Sequence, residues 1–190
     1  MKRIIFLLAA LFVFIGTVSA QTPDDIYGDP IRVESKKAKL EQKKKTEIKD
    51  SLLFLAAQDA MRRGLWVLQA EVVDFPRSAY TAHALDGDRN FVLCQGTQGI
   101  IQTAISMVHP GLNGMGGVTL EGNMSNLSFS TDRDKNLQLT YNIVGLDINA
   151  DVVITVYAGS NFAQAMITPM MGGEPMTMRG RIVPYVHVFE

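Results

Sequence analysis

Three histidines, a cluster of methionines and one cysteine are the residues on which chemistry would have to rest. His83, His109 and His187 stand far apart, with no HxH or HExxH spacing between them. A zinc site would have to gather them in space, with Asp74 or Asp86 as a carboxylate ligand. Met166, Met170, Met171, Met176 and Met178 crowd into thirteen residues, and thioethers are soft ligands that suit Cu(I). In a hairpin turning at Gly172-Gly173, alternation puts Met166 and Met170 on one face of the first strand. Met176 and Met178 then share a face of the second, although the register is open. Methionine is also a pliable core filler. With no His or Cys inside the cluster, core packing is the preferred reading, and no metal is assigned.

Cys94 closes the apolar run Phe91-Val92-Leu93-Cys94. A nucleophilic thiol wants a nearby His and a polar setting. Neither stands beside it in sequence, so it reads as a small buried hydrophobe. The glycine-rich segment Gly111 to Gly117 suggests a phosphate loop, but the strand-like Val118-Thr119-Leu120 follows where a helix is needed. It reads as a structural loop. The carboxylate pairs Asp86/Asp88 and Asp132/Asp134 fall where turns are expected, and turn chemistry accounts for them. There is no GxSxG elbow. No catalytic residue and no cofactor is assigned.

Some framework must carry these residues, and most of it reads as β-structure. Leu137 to Ile143 alternates apolar and polar without a miss, which puts Leu137, Leu139, Tyr141 and Ile143 on one face. Leu65 to Phe75 carries Trp66, Leu68, Ala70 and Val72 on one side. Further strands are expected at 90–95, 100–108, 118–121, 126–131, 150–158, 163–168 and 176–183. Turn clusters rich in Gly, Asp and Asn separate them. No crossover helix lies between successive strands, so a parallel sheet is excluded. The fold class is therefore mainly β: an antiparallel sandwich or barrel of about eight strands, preceded by one amphipathic helix. That helix is expected over 48–63, where Ile48, Leu52, Leu55, Ala56 and Ala60 form one apolar face and Gly64 terminates it, and an earlier start inside the lysine run is left open.

Composition sets the outer bounds. Of 190 residues 47% are hydrophobic, and 18 basic side chains balance 19 acidic ones. Nucleic acid needs a basic excess, so it is not the expected partner. One cysteine excludes an internal disulfide framework. Lys2-Arg3, the uncharged run from Ile4 to Ile15, and Val18-Ser19-Ala20 form the three-part pattern of a secretory signal peptide, with Gln21 as the new N-terminus. No later segment is apolar enough to span a bilayer. The expected organisation is a signal peptide over 1–20, a polar, Lys-rich leader over 21–47, and one helix-plus-β domain over 48–190. The lysine run reads as a solvated helical start or linker rather than as a surface-binding patch, because Glu41, Glu47 and Asp50 dilute it.

Gly111 to Gly122, the alternating Leu137 to Ile143, Gly159-Ser-Asn-Phe-Ala163 and Met178-Arg-Gly-Arg-Ile-Val-Pro184 together resemble the domain-of-unknown-function family 4251. That family occurs in exported proteins of Bacteroidetes. The resemblance covers roughly residues 50 to 186. It implies an exported, largely β domain in the periplasm or outside the cell, with no assigned activity and no catalytic residues to carry over. It also implies a host able to attach O-glycans at Asp-Ser/Thr-apolar tripeptides. Asp50-Ser51-Leu52 matches, but Ser51 equally suits a helix cap. The functional expectation is a non-enzymatic module that binds a protein, a glycan or a small ligand. The alternative is a hydrolase or metalloenzyme whose site is assembled from the scattered histidines and carboxylates.

Overall fold

The computed structural model describes residues 30–76, 80–83, 86–105, 118–146, 149–170 and 173–186. The chain divides after Gln42 into two units, of which the first is described only over residues 30–42. In the first, residues 30–42 are helical, and every side chain from Ser35 onward is exposed. The helix α1 as a whole runs Pro30–Arg63. It therefore begins well before residue 48, inside the segment expected as a leader. Lys, Glu, Gln and Ala all favour the helix, and Pro30 suits a first helical position. Such residues need no apolar stripe to be helical, which is why periodicity alone places the start too late. Gly64 ends the helix with φ +67, and its N–H donates to the Met61 carbonyl at 3.1 Å.

Among the described residues nine strands follow: β1 (Leu65–Phe75), β2 (Tyr80–His83), β3 (Phe91–Gln95), β4 (Gln98–Thr103), β5 (Val118–Thr131), β6 (Leu137–Gly145), β7 (Asn149–Val156), β8 (Phe162–Pro169) and β9 (Met176–Pro184). All pairings are antiparallel. From β3 to β9 each strand pairs with the next, and β1 pairs with both β3 and β9. Eight strands thus close into a barrel, and the sandwich alternative falls away. The ninth, β2, was not expected; it pairs with the second half of β1. Among the described residues, closure leaves no long sheet edge for another chain to template on.

Most expected strands hold, and the departures occur at bulges. In β1, Trp66, Leu68 and Ala70 are buried as alternation predicts. The register then slips between Ala70 and Val72, so Val73 and Phe75 turn inward instead of Val72. The strands expected at 118–121 and 126–131 are one strand, β5. A register shift between Ser125 and Ser128 interrupts its pairing, with Asn126 at φ +56. The strand expected over 100–108 ends at Thr103, and 106–108 lie outside the described residues. At the β1–β9 seam a Cβ on Gly180 would run into the carbonyl of Gln69, so only glycine allows that approach.

The core fills the barrel with Trp66, Leu68, Val92, Ile101, Leu139, Tyr141, Ile143, Ile154, Met178 and Ile182, all buried. The helix adds Ala57, Ala60 and Met61, with Phe54 partly buried against the same cluster. This is not the face that sequence spacing selects. Ile48, Leu52 and Leu55 are exposed at 62%, 61% and 56%. Only Ala60 of the expected stripe is fully buried, and Ala56 is half-buried.

Candidate functional site

Inside the barrel, the polar atoms are few. Cys94 and Trp66 are cross-strand partners on β3 and β1, and both point inward. The Cys94 thiol donates to the Gly64 carbonyl at 3.4 Å. Burial pushes its pKa up to about 11, and the nearby Trp66 indole offsets a little of that rise without reaching hydrogen-bond geometry. A thiol held this far above its ordinary range carries almost no thiolate near neutrality, so it is a poor nucleophile. The Tyr141 hydroxyl is likewise buried without a protein partner, and burial, reinforced by Cys94, raises its pKa. Two buried asparagines act as clasps. Asn90 donates to the Asp86 carbonyl and accepts from the Ala104 N–H, tying the start of β3 to the end of β4. Asn161 donates to the Ile182 carbonyl and pins the β7–β8 turn to β9. Sequence reading misses both, since a lone Asn near a strand end looks like any turn residue.

The candidate ligands that the structure describes stand on separate elements. His83 ends β2, opposite Val72, while its side chain and all of His109 and His187 lie outside the described residues. The glycine-rich segment 111–117 lies outside them too. Asp74 stands in β1. Asp86 is engaged by the N–H of Asp88 and by Arg89. Asp132 accepts from the Asn136 side chain and backbone N–H, and these bonds lower its pKa. Both carboxylates thus do turn work. Among the described residues, no group of three or more His, Cys, Asp or Glu stands close enough to hold a metal ion. The barrel wall divides the methionines. In the β8–β9 pairing Met166 faces Thr177, Ala165 faces Met178, and Ile167 faces Met176. Met176 and Met178 are therefore buried inside, while Met166 and Met170 are on the outside, about half exposed. The two pairs cannot share one copper ion through a packed wall. Met171 lies outside the described residues.

On the outer barrel surface, Asn126 donates to Asn142 at 2.7 Å, and Asn142 donates to Asp151, linking β5, β6 and β7 in one polar row. That row explains why Asn142 takes the wet face of its strand.

The remaining feature is the outward side of the helix. Ile48, Leu52 and Leu55 lie at spacings of four and three, so they line up along one face. At 100° per residue they stand opposite Ala57 and Met61, the residues that anchor the helix to the core. Lys44, Glu47 and Ser51 complete a shallow open hollow beside Ile48 and Leu52. Ser51 is no cap: it sits mid-helix, and its Oγ donates to the Glu47 carbonyl at 2.8 Å. Lys45 and Asp59 flank the stripe, and Asp59 pairs with Arg63 at 2.7 Å. The stripe itself was legible in the sequence, but its exposure was not. The signal for that was a second set at the same spacing, Phe54, Ala57 and Met61, on the other side.

Comparison with known proteins bears on the whole of this architecture. A family model described as a domain of unknown function (DUF4251) matches residues 35–182. A crystal structure of a DUF4251 family protein from Bacteroides eggerthii DSM 20697 is similar to this chain, with a TM-score of 0.62 and 34% sequence identity. The match covers 73% of this chain and 91% of that one. No curated protein matches.

Proposed function

Since the chain belongs to the DUF4251 family, a domain of unknown function, we propose that it is an exported, non-enzymatic interaction module that recognises a partner on the outward face of its helix. One observation carries this reading: three large aliphatic side chains, Ile48, Leu52 and Leu55, are more than half exposed on a helix whose other side is anchored in the core. Contiguous apolar surface in water is unfavourable unless something covers it. Anchors at such spacing are the way one helix face reads a protein groove or another helix. A protein therefore fits this face better than a glycan or a small ligand does. The inward barrel positions are taken by packed apolar side chains, which favours recognition outside the barrel.

Export rests on Lys2-Arg3, the apolar run behind it, and the small residues before Gln21. It places the module in the periplasm or outside the cell. Photo-crosslinking in the native host tests the reading. A photoreactive side chain at Ser51 should give a discrete protein adduct in the cell envelope or medium, and one at Thr155 on the outer barrel wall should not. Absence of any adduct at Ser51 would remove the recognition face. Stoichiometric zinc binding that depends on His83 and His109, with hydrolytic activity, would establish the metalloenzyme instead.

A further inference from the structure

We propose that the partner of this face is a second copy of the same chain, paired antiparallel about a two-fold axis near Leu52. This rests on the recognition reading above and names its occupant. Leu52 lies at the middle of the stripe, with Ile48 four residues before it and Leu55 three after. Turned antiparallel, one stripe sets its Ile48 against Leu55 of the second copy and Leu52 against Leu52. The apolar set is thus complementary to itself, as an isologous contact requires.

The charges choose the orientation. Lys45 and Asp59 are both exposed, and each stands seven residues from Leu52 on opposite sides. Seven residues are about 10 Å along a helix. An antiparallel second copy therefore brings its Asp59 beside Lys45, and the two-fold axis repeats the pair. Asp59 already holds Arg63, and both remain more than half exposed. Lys45 of the second copy can therefore join that pair from outside. A parallel pairing would instead set Lys45 against Lys45 and Asp59 against Asp59, which is repulsive. The contact spans only a few helical turns, short of the roughly 1,200 Å² of a stable interface, so the dimer is weak and concentration-dependent.

Sedimentation velocity of the processed protein between roughly 20 µM and 1 mM, a range suited to a contact of this size, should show monomer giving way to dimer. Leu52→Glu should abolish the dimer with an unchanged melting curve. Lys45→Glu and Asp59→Lys should each weaken self-association roughly tenfold, through two like-charge contacts per dimer. An equimolar mixture of these two variants should dimerise again, because each then meets its opposite. A wild-type protein that stays monomeric throughout the range, a Leu52→Glu protein that still dimerises, or a mixture that fails to re-form the dimer would each overturn the proposal. If self-association fails while Ser51 still crosslinks to a different protein, self-pairing falls and the recognition face stands. If both fail, both readings fall.

Discussion

β6 and the helical segment 48–63 use the same residue types and end in opposite surroundings. Leu139 and Ile143 are shut inside the barrel, whereas Leu52 and Ile48 are open to solvent. A strand has only two faces, and closing the sheet into a ring makes one of them interior. Alternation in β6 therefore leaves a single solution. A helix has a full circumference, and more than one stripe can serve as its seat. Here the seat goes to Ala57, Ala60 and Met61, with Phe54 partly buried beside them. Small side chains let the helix backbone approach the barrel closely, and Met adapts to the gap that remains. The bulkier Ile48, Leu52 and Leu55 are left on the outside.

That contrast can be broken by substitution and pH. The largest effect belongs to Trp66→Ala, which empties the most voluminous buried site on β1 and should cost about 3–5 kcal/mol by denaturant titration. Leu139→Ala should follow at about 2–5 kcal/mol. High pH comes next. The folded Cys94 thiol holds its proton up to about 11 against an ordinary value of 9.0. The unfolded chain therefore loses its proton first, and stability should fall as pH climbs from about 9 towards about 11. The full loss from this group is roughly 2–3 kcal/mol, and Cys94→Val should remove that share while keeping the fall above about pH 10 that the buried Tyr141 hydroxyl adds. The replacements Met176→Leu and Met178→Leu conserve volume in the core and should each stay within about 1.5 kcal/mol, with no change in copper affinity. Smallest of all, Leu52→Ala in the dilute protein should match Thr140→Ala, both within about 0.5 kcal/mol. A cost for Leu52→Ala near that of Leu139→Ala would mean that the stripe is already covered within one chain.

Legibility followed the number of solutions each pattern allowed. Eight of the nine strands were readable, because Val, Ile and Thr alternate between clear turns, and the inward set Leu137, Leu139, Tyr141 and Ile143 came with them. Closure was not readable, since it depends on β1 meeting β9 and no local pattern states that pairing. Val72 was misassigned because the slip at Glu71 carries no glycine or proline to mark it. The lysine-rich helical start was hard to read for a different reason: it buries nothing, so it leaves no periodic trace. The candidate face was visible as a stripe and hidden as a surface, because its exposure depends on which other stripe the barrel accepts.

The seam between β1 and β9 also has a consequence in time. The first strand of the ring is completed by the last, so closure must await nearly the whole domain. Neighbouring hairpins from β3 to β9 form from local contacts, whereas this final pairing spans the entire barrel sequence and is the slow kind of event. Until it happens, β1 offers an open edge, and open edges invite pairing with other chains. A chain that stops before Met176 never escapes that condition. Gly180 sits within the closing strand, where any added side chain would meet the Gln69 carbonyl. The safety of this fold against aggregation is thus decided at its C-terminal end.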